Sequence, residues 1–268
     1  VLPLTLFSGG HNYFVSQFAQ RRGWQPYSIH TTFQYGGAAG KRHRLREAMV
    51  FEDTPSYYDP PGGLLAFPLV TPSSFLHPTG GMTTHGHIRL INHQLRQIKS
   101  GLALARALGR RLILPAVICG YDKAWFPLAS GTSKGVFAGA PPWAVPIYNC
   151  PLDHYLEVSM LRPALTLREY SFLSNPRTPA TVKNSVASTS LEIKDNEVAR
   201  LKRDFASVKV LNVSNLGVVD VLGKLLQPAQ RSHASESFRY VGGDWCCAPN
   251  DDKKRGMPVS ARFHLFHA

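Results

Sequence analysis

Residues 88–118, IRLINHQLRQIKSGLALARALGRRLILPAVI, decide the fold class. Apolar residues recur in the first two thirds of this stretch at spacings of three and four, which places them on one face of a helix. They are Ile88, Ile91, Leu95, Ile98, Leu102, Ala105 and Leu108. Gly109 supplies a C-terminal cap, and the nearly all-apolar run 111–118 is typical of a strand in a sheet covered on both faces. A helix followed by a buried strand predicts an α/β layer.

Similar patterns flank this unit on both sides. Towards the C-terminus we predict a charged helix with Val198, Leu201 and Phe205 on one face, a strand over 208–213 and a helix over 218–226. Near the N-terminus, residues 1–7 and 27–30 read as short strands. A turn-rich connector of Pro and Gly begins at 59–63 and is the predicted boundary between units. We therefore expect one unit over 1–66 and a second α/β unit over 67–268.

The composition is that of a globular protein with a basic surface. The chain has 268 residues, 44% of them hydrophobic, and a formal net charge of +13. This composition excludes a disordered chain or a coiled coil, and no apolar run is long enough for a membrane span.

The motifs GxGxxG, GxxxxGK[ST], HExxH and GxSxG are all absent. Dinucleotide-binding, P-loop, zincin and serine-hydrolase functions therefore lack their characteristic parts. Because the chain begins at Val1 without a cleavable leader, we expect it to be a piece of a longer polypeptide.

The cysteines and histidines give weaker signals. The four cysteines, at 119, 150, 246 and 247, lack CxxC spacing, which argues against structural zinc. Their even number and the glycosylation sequon at Asn212 permit an oxidising compartment. The histidines at 77, 85, 87 and 93 do not place three ligands on one face, so we do not predict a metal site there.

The best chemical constellation lies at residues 30–47, HTTFQYGGAAGKRHRLRE. A predicted strand ends in His30, a glycine-rich loop follows, and a basic helix then begins near Lys41. Backbone N–H groups of the loop, the positive end of the helix and Lys41 would suit an anion, and a neutral imidazole would suit a divalent metal. Together they could hold a diphosphate. From the residues alone, a surface helix with a glycine hinge, or a nucleic-acid patch, fits equally well.

The sequence around this constellation resembles a known family. Residues 8–15 and 30–51, SYYDPPGG at 56–63, the surroundings of Cys119, CPLDH at 150–154, REYSFLSNP at 168–176 and the stretch from Arg239 to Cys247 are similar to plant and algal nucleotide-diphospho-sugar transferases of glycosyltransferase family seventy-seven. The nearest group is the extensin arabinosyltransferases of the plant Golgi. The resemblance implies a GT-A type fold, a UDP-sugar donor, usually Mn²⁺, and transfer with retention of configuration.

Carried over to this chain, the resemblance assigns site residues. His30 would be a metal ligand, Gly37 and Gly40 would let the backbone approach the diphosphate, and Lys41 would contact it. His11 and Arg44 complete the predicted donor-binding set. The DxD motif that chiefly holds the metal in this fold is absent. We therefore expect the nucleotide-binding half to lie upstream and this chain alone to be inactive, and we assign no catalytic acid or nucleophile.

The second unit has a separate likeness. Residues 92–94 and 105–115 resemble the first helix and strand of O-fucosyltransferase-type GT-B domains, which implies a Rossmann-like accessory or acceptor-binding domain. The resulting hypothesis is a transferase that moves a pentose, L-arabinofuranose, from a UDP-sugar to hydroxyproline-linked arabinosides of cell-wall glycoproteins. It would work in the Golgi lumen, as a type II membrane protein whose anchor is outside this chain. The alternative is a non-catalytic module that binds acidic polysaccharide or nucleic acid through its +13 charge. Nucleic acid is not expected as a partner, because few aromatic residues lie among the basic ones.

Overall fold

The computed structural model describes residues 3–123, 146–161, 167–219, 221–232, 244–245 and 261–262. The strands are β1 (Phe7–Gly9), β2 (Ser28–His30), β3 (Leu64–Ala66), β4 (Arg111–Ile113), β5 (Leu167–Arg168), β6 (Val186–Thr189), β7 (Val210–Val213), β8 (Asp244–Trp245) and β9 (Ala261–Arg262). The α-helices are α1 (Gly37–Glu47), α2 (Pro55–Tyr58), α3 (Ser73–Leu76), α4 (Thr84–Leu108), α5 (Leu152–Tyr155), α6 (Ala180–Lys183) and α7 (Glu197–Asp204). Short 3₁₀ turns lie at Gln20–Arg22, Val158–Met160, Phe172–Ser174 and Leu216–Val218, and π-helical turns at His11–Val15 and Val221–Leu225.

Five parallel strands form the main sheet, in the order β5-β4-β3-β7-β6. Helix α4 connects β3 to β4, and α7 connects β6 to β7, as parallel pairing requires. On one face Leu65, Leu112 and Leu211 belong to the cluster that contains α4. The residues that alternate with them, such as Leu64 and Val210, pack in a second cluster on the other face. The sheet is therefore covered on both faces, as the apolar run in β4 predicts.

The predicted stripe of α4 forms the centre of the core. Its side chains from Ile91 to Leu108 are buried, and Ile88 is half-buried. The Thr83 hydroxyl caps the helix by accepting from the Gly86 N–H at 3.0 Å, and Gly109 ends it at φ 73°. The prediction of this helix and its stripe is confirmed, and with it the α/β class.

Other predicted elements differ in extent. Strand β4 ends at Ile113, since Pro115 has no N–H with which to continue a ladder. Residues 3–6 form a turn closed on the Pro3 carbonyl, so β1 begins only at Phe7. The helix predicted over 218–226 is replaced by two short turns, because Val219 has extended backbone at φ −93° and ψ 134°.

The N-terminal part forms a small sheet of its own. β1 and β2 pair in parallel, with Gly9 opposite His30. The predicted boundary at residue 66 coincides with the end of β3, and β3 is the central strand of the main sheet. Residues 64–66 thus pack with the second unit, while the division of the chain into two units stays a prediction. No helix within the described ranges is long and apolar enough to cross a membrane.

Candidate functional site

The predicted metal ligand His30 lies at the end of β2 and is exposed. Gly10, after the paired strand β1, comes so close to residue 32 that its N–H donates to the Thr32 hydroxyl at 3.2 Å and a Cβ would overlap the Thr32 carbonyl. This close approach fixes the chain just beyond His30. In the part of the chain that the structure describes, His30 belongs to no group of three potential metal ligands. Among the described residues, His30 is therefore not accompanied by two further His, Cys, Asp or Glu side chains that could complete a metal site.

The glycine-rich segment is not a loop. Residues 37–40 form the first turn of α1, after Gly36 at φ 81°. Gly40 is buried, and a Cβ there would overlap the Tyr35 carbonyl oxygen, whereas nothing lies within 4 Å of a Cβ at Gly37. The lack of a side chain at Gly40 is thus explained by packing of the chain on itself. Gly37 and Lys41 are exposed, and they remain available to a ligand.

Arg44 lies on the buried face of α1 and is fixed by Asp153. Its Nε donates to Asp153 Oδ1 at 2.7 Å and its Nη2 donates to Oδ2 at 3.2 Å, and both side chains are 1% exposed. Nη2 also lies 3.1 Å from His154 Nε2. Burial lowers the pKa of His154, and Arg44 lowers it further, so the ring is neutral and accepts this bond. Asp153 also accepts from the Tyr35 N–H at 2.7 Å, so one carboxylate holds both α1 and the segment before it.

The same buried region contains His11. Its Nε2 contacts Asp122 Oδ2, and the two side chains are 5% and 0% exposed. Next to Asp122, the Lys123 ammonium donates to the Asp153 carbonyl at 3.2 Å and lies 4.2 Å from the centre of the Tyr35 ring. We call His11, Arg44, Asp122, Lys123, Asp153 and His154 the buried network. It joins the N-terminal part of the chain to the segments around the two described cysteines.

Glu47 continues this contact one turn further along α1. Its carboxyl accepts from the Leu152 N–H at 2.9 Å. Burial raises the pKa of Glu47 to about 8. Gly40, Arg44 and Glu47 therefore form one buried stripe that fixes α1 against α5, at a spacing of three and four residues.

Apart from Gly40, which is buried against Tyr35, the predicted donor-binding residues fall into two sets. His11 and Arg44 meet in the buried network, where Asp122 contacts the His11 ring and Asp153 contacts the Arg44 guanidinium. His30, Gly37 and Lys41 are exposed on two different elements, β2 and α1. The sequence indicated all of these residues by resemblance, but nothing in their spacing predicted that His11 and Arg44 are buried. The partner residues Asp122 and Asp153 carry no local signal that would identify them.

Cys119 and Cys150 form a disulfide, with sulfur atoms close to His154. The two sulfurs and the His154 ring could together face a metal, but bonded sulfur atoms are not thiolate ligands. The other described histidines do not form a metal site either. His87 Nδ1 accepts from the N–H groups of Gly120 and Tyr121, and His93 contacts the Val70 carbonyl.

A basic cavity of about 640 Å³ lies on another face of α1. The titratable residues in its lining are Arg42, His43, Arg46, Asp53, Arg111 and Arg168. Sequence reasoning missed this cavity. The sequence offered one signal for it. Arg42 and Arg46 are four residues apart on α1, and this spacing places both on one side of the helix. The other two arginines come from β4 and β5, and only the fold brings them near.

These features define an α/β protein with a parallel sheet, an anchored basic helix and an oxidised cysteine pair. Among known proteins, the chain is 41% identical to Arabinosyltransferase XEG113 of Arabidopsis thaliana over 282 residues. The match covers 93% of this chain and 42% of the relative, so the chain spans less than half the length of the relative that it matches. The two are homologous, which confirms the resemblance of this chain to an arabinosyltransferase. No family model and no solved structure matches the chain.

Proposed function

We propose that the chain is part of a retaining glycosyltransferase that transfers a pentose, L-arabinofuranose, from a UDP-sugar to hydroxyproline-linked arabinosides of extensins. The observation that carries this proposal is the 41% identity to an arabinosyltransferase over 93% of the chain. Because less than half of that relative is matched, the activity belongs in this proposal to a longer polypeptide, and the chain alone is expected to be inactive.

In this proposal β1, β2 and α1 are the C-terminal part of a GT-A type domain, and the five-stranded sheet belongs to a Rossmann-like accessory domain on the acceptor side. Two observations support it. The β1–β2 pair is parallel and ends at His30, and a basic helix follows it along the chain. The crossover β3-α4-β4 is the βαβ unit on which Rossmann-like sheets are built.

The roles of the site residues follow from their exposure. Lys41 and the N-terminal turn of α1 bind the diphosphate, because a cation and free N–H groups stabilise the charge that grows on the leaving group. His30 is one ligand of the divalent metal, Mn²⁺, and the ion supplies further charge neutralisation when it is bound. Arg44 and His11 are positioning residues. Through Asp153 and Asp122 they hold α1 and the turn after β1 against the rest of the protein.

The proposed setting is the Golgi lumen, with a membrane anchor outside this chain. The Cys119–Cys150 disulfide supports a compartment of the secretory pathway, because disulfides persist in oxidising surroundings. The proposed partners are the UDP-sugar and a hydroxyproline-rich glycoprotein, and not nucleic acid.

Titration calorimetry with UDP tests the donor site. The protein titrated is a chimera in which this chain replaces the matching part of the Arabidopsis relative, with and without Mn²⁺, and the same chimera carries His30→Ala or Lys41→Ala. His77→Ala and Lys202→Ala are matched controls, because both residues are exposed and lie on other elements. We expect Mn²⁺-dependent binding that both site variants weaken by about tenfold or more and the controls leave unchanged. Binding of DNA without metal, with affinity that falls steeply with salt and no response to UDP, would favour the polyanion-binding alternative instead.

A further inference from the structure

The basic cavity on α1 has more positive than negative charge in its walls. Four guanidinium groups line it, from Arg42, Arg46, Arg111 and Arg168, against one lining carboxylate, Asp53. A second carboxylate, Glu169, is not part of the lining, but it accepts a hydrogen bond from the hydroxyl of the lining residue Tyr57 at 2.5 Å. His43 adds no charge at neutral pH, since burial lowers its pKa to about 4. The local excess is therefore about two positive charges.

Two of the arginines are held rigidly and keep a free edge. Arg46 donates from Nε to Asp53 at 2.8 Å and also contacts it through Nη2, which leaves Nη1 available. Arg168 donates from Nε to the Tyr57 carbonyl at 2.9 Å and from Nη1 to the Leu167 carbonyl at 2.8 Å, which leaves Nη2. Both groups lie over the Tyr57 ring, with the Arg46 Cζ 4.6 Å and the Arg168 Cζ 3.9 Å from the ring centre. Such stacking fixes the planes in which these groups donate.

The other two arginines, Arg42 and Arg111, differ from these in their charge environment. Among the described residues, neither Arg42 nor Arg111 makes an ion pair. Arg42 is exposed, and Arg111 is half-buried at the start of β4. Burial lowers the pKa of Arg168, and repulsion from Arg111 adds to this effect. Unneutralised guanidinium groups that face one cavity repel one another unless an anion lies between them.

The size and chemistry of the cavity indicate the kind of anion. A phosphate monoester carries about −1.5 to −2 charges near neutral pH, which matches the local excess, and planar guanidinium groups bind phosphate oxygens in pairs. A volume of about 640 Å³ can also hold the sugar or nucleoside attached to such a group. Two guanidinium groups already lie against the Tyr57 ring, and their hydrogen-bonding edges suit an oxyanion.

We propose that this cavity is a metal-independent binding site for a terminal phosphate group, such as that of a sugar phosphate or a nucleoside diphosphate. It lies on the side of α1 that carries Arg42 and Arg46, and it is separate from the exposed donor residues His30 and Lys41. The proposal does not depend on the sugar-transfer function. In this proposal α1 has three roles. Its buried stripe holds the helix in place, its exposed N-terminal end binds the donor, and the face with Arg42 and Arg46 lines the cavity.

The test is titration calorimetry with EDTA present, with inorganic phosphate, glucose 1-phosphate, UDP and digalacturonate as separate probes. The variants are Arg42→Gln and Arg111→Gln, and Arg203→Gln is the control, because Arg203 is an exposed arginine on α7. We expect the phosphorylated probes to bind, each cavity variant to weaken binding by about tenfold, and the control to behave as the unmodified chain. Comparison of the three phosphorylated probes distinguishes free phosphate from a sugar phosphate or a nucleotide as the preferred source.

Three results would overturn the proposal: phosphate binding that both cavity variants leave unchanged, no binding of any phosphorylated probe, or tighter binding of digalacturonate. Binding that needs Mn²⁺ and disappears in Lys41→Ala would place the phosphate at the donor site and not in this cavity. Failure of the chimera to bind UDP with Mn²⁺, together with intact metal-independent phosphate binding, would count against the proposed donor site alone. Thermal unfolding of each variant checks that it is folded, and Arg42 is exposed, so its replacement leaves the core intact.

Discussion

Asp153 is the residue on which the position of α1 depends most. Its carboxylate is 1% exposed and accepts from Arg44 and from the Tyr35 N–H. Replacing Asp153 with Asn would leave the Arg44 charge buried with no carboxylate. We expect Asp153→Asn to lower the free energy of unfolding by about 3–5 kcal/mol, measured by urea denaturation.

Asp204→Asn is the control for this prediction, because Asp204 pairs with Arg203 at the surface. We expect the control to change the free energy of unfolding by less than about 1 kcal/mol. Equal effects of the two substitutions would show that the buried network does not hold α1.

His87 makes the stability depend on pH in the acidic range. Its Nδ1 accepts from two backbone N–H groups at 3.0 and 3.2 Å, and burial lowers its pKa to about 3. Between this value and the unfolded value of about 6.5, the unfolded chain binds a proton that the folded chain does not. Neutral His87 makes its full contribution to the free energy of unfolding above pH 6.5. As the pH falls below this value the contribution is lost, by at most about 1.4 kcal/mol per pH unit.

We expect the free energy of unfolding to depend less steeply on pH in His87→Gln, because the glutamine side chain keeps a hydrogen-bond acceptor but does not titrate. Urea denaturation between pH 4 and 7 measures it, with His77→Gln at an exposed position as the control. An unchanged slope in His87→Gln would contradict the assignment.

The residues of the candidate site were only partly predictable. The resemblance indicated His11, His30, Gly37, Gly40, Lys41 and Arg44, and the structure keeps His30, Gly37 and Lys41 exposed. The sequence could not indicate that Arg44 pairs with Asp153, because the two residues are more than a hundred positions apart. The basic cavity was missed for the same reason, since Arg111 and Arg168 approach α1 only in the folded chain.

At the scale of the element, α1 requires glycine at position 40 and tolerates a side chain at position 37. A Cβ at residue 40 would overlap the Tyr35 carbonyl, whereas a Cβ at residue 37 meets nothing within 4 Å. We expect Gly40→Ala to lower the thermal unfolding midpoint markedly. Gly37→Ala, at φ 57°, should cost about 1 kcal/mol. Equal midpoints for the two variants would show that packing does not explain Gly40.

The disulfide ties together the segments that carry Asp122 and Asp153. Cys119 and Cys150 are 31 residues apart in sequence. Closing a loop of this length stabilises the folded state by about 3–4 kcal/mol in the chain-entropy model. We expect the Cys119→Ser, Cys150→Ser double variant to lose about this much in urea denaturation. Unchanged stability, or reactive thiols at both positions in the folded chain, would contradict the pairing.

Elements with strong local patterns were predictable, and those set by distant contacts were not. The stripe of α4 and the caps at Thr83 and Gly109 specify that helix locally, and the structure confirms it. The glycine-rich segment at 37–40 has low helix propensity, and sequence reasoning treated it as a loop. Burial of Gly40 against residue 35, and the bonds of Arg44 further along the helix, favour helix there instead.

For the whole molecule, the order β5-β4-β3-β7-β6 could not be read from the sequence, although the α/β class could. The short strands β3 and β5 carry too few residues to show a pattern. The buried stripe of α1 and the buried network join the N-terminal part of the chain to the segments around Cys119 and Cys150. In our account, this contact is what allows the exposed end of α1 to present Lys41 at a fixed place.

The most direct test of the sugar-transfer proposal is a chimera in which this chain replaces the matching 42% of the Arabidopsis relative. Arabinose transfer to a hydroxyproline-linked arabinoside acceptor is then measured from a UDP-sugar donor. We predict a folded chimera that transfers the pentose and that loses most of this activity in His30→Ala and Lys41→Ala, but not in His77→Ala and Lys202→Ala. A folded chimera with no transfer, or with full transfer in both site variants, would contradict the account.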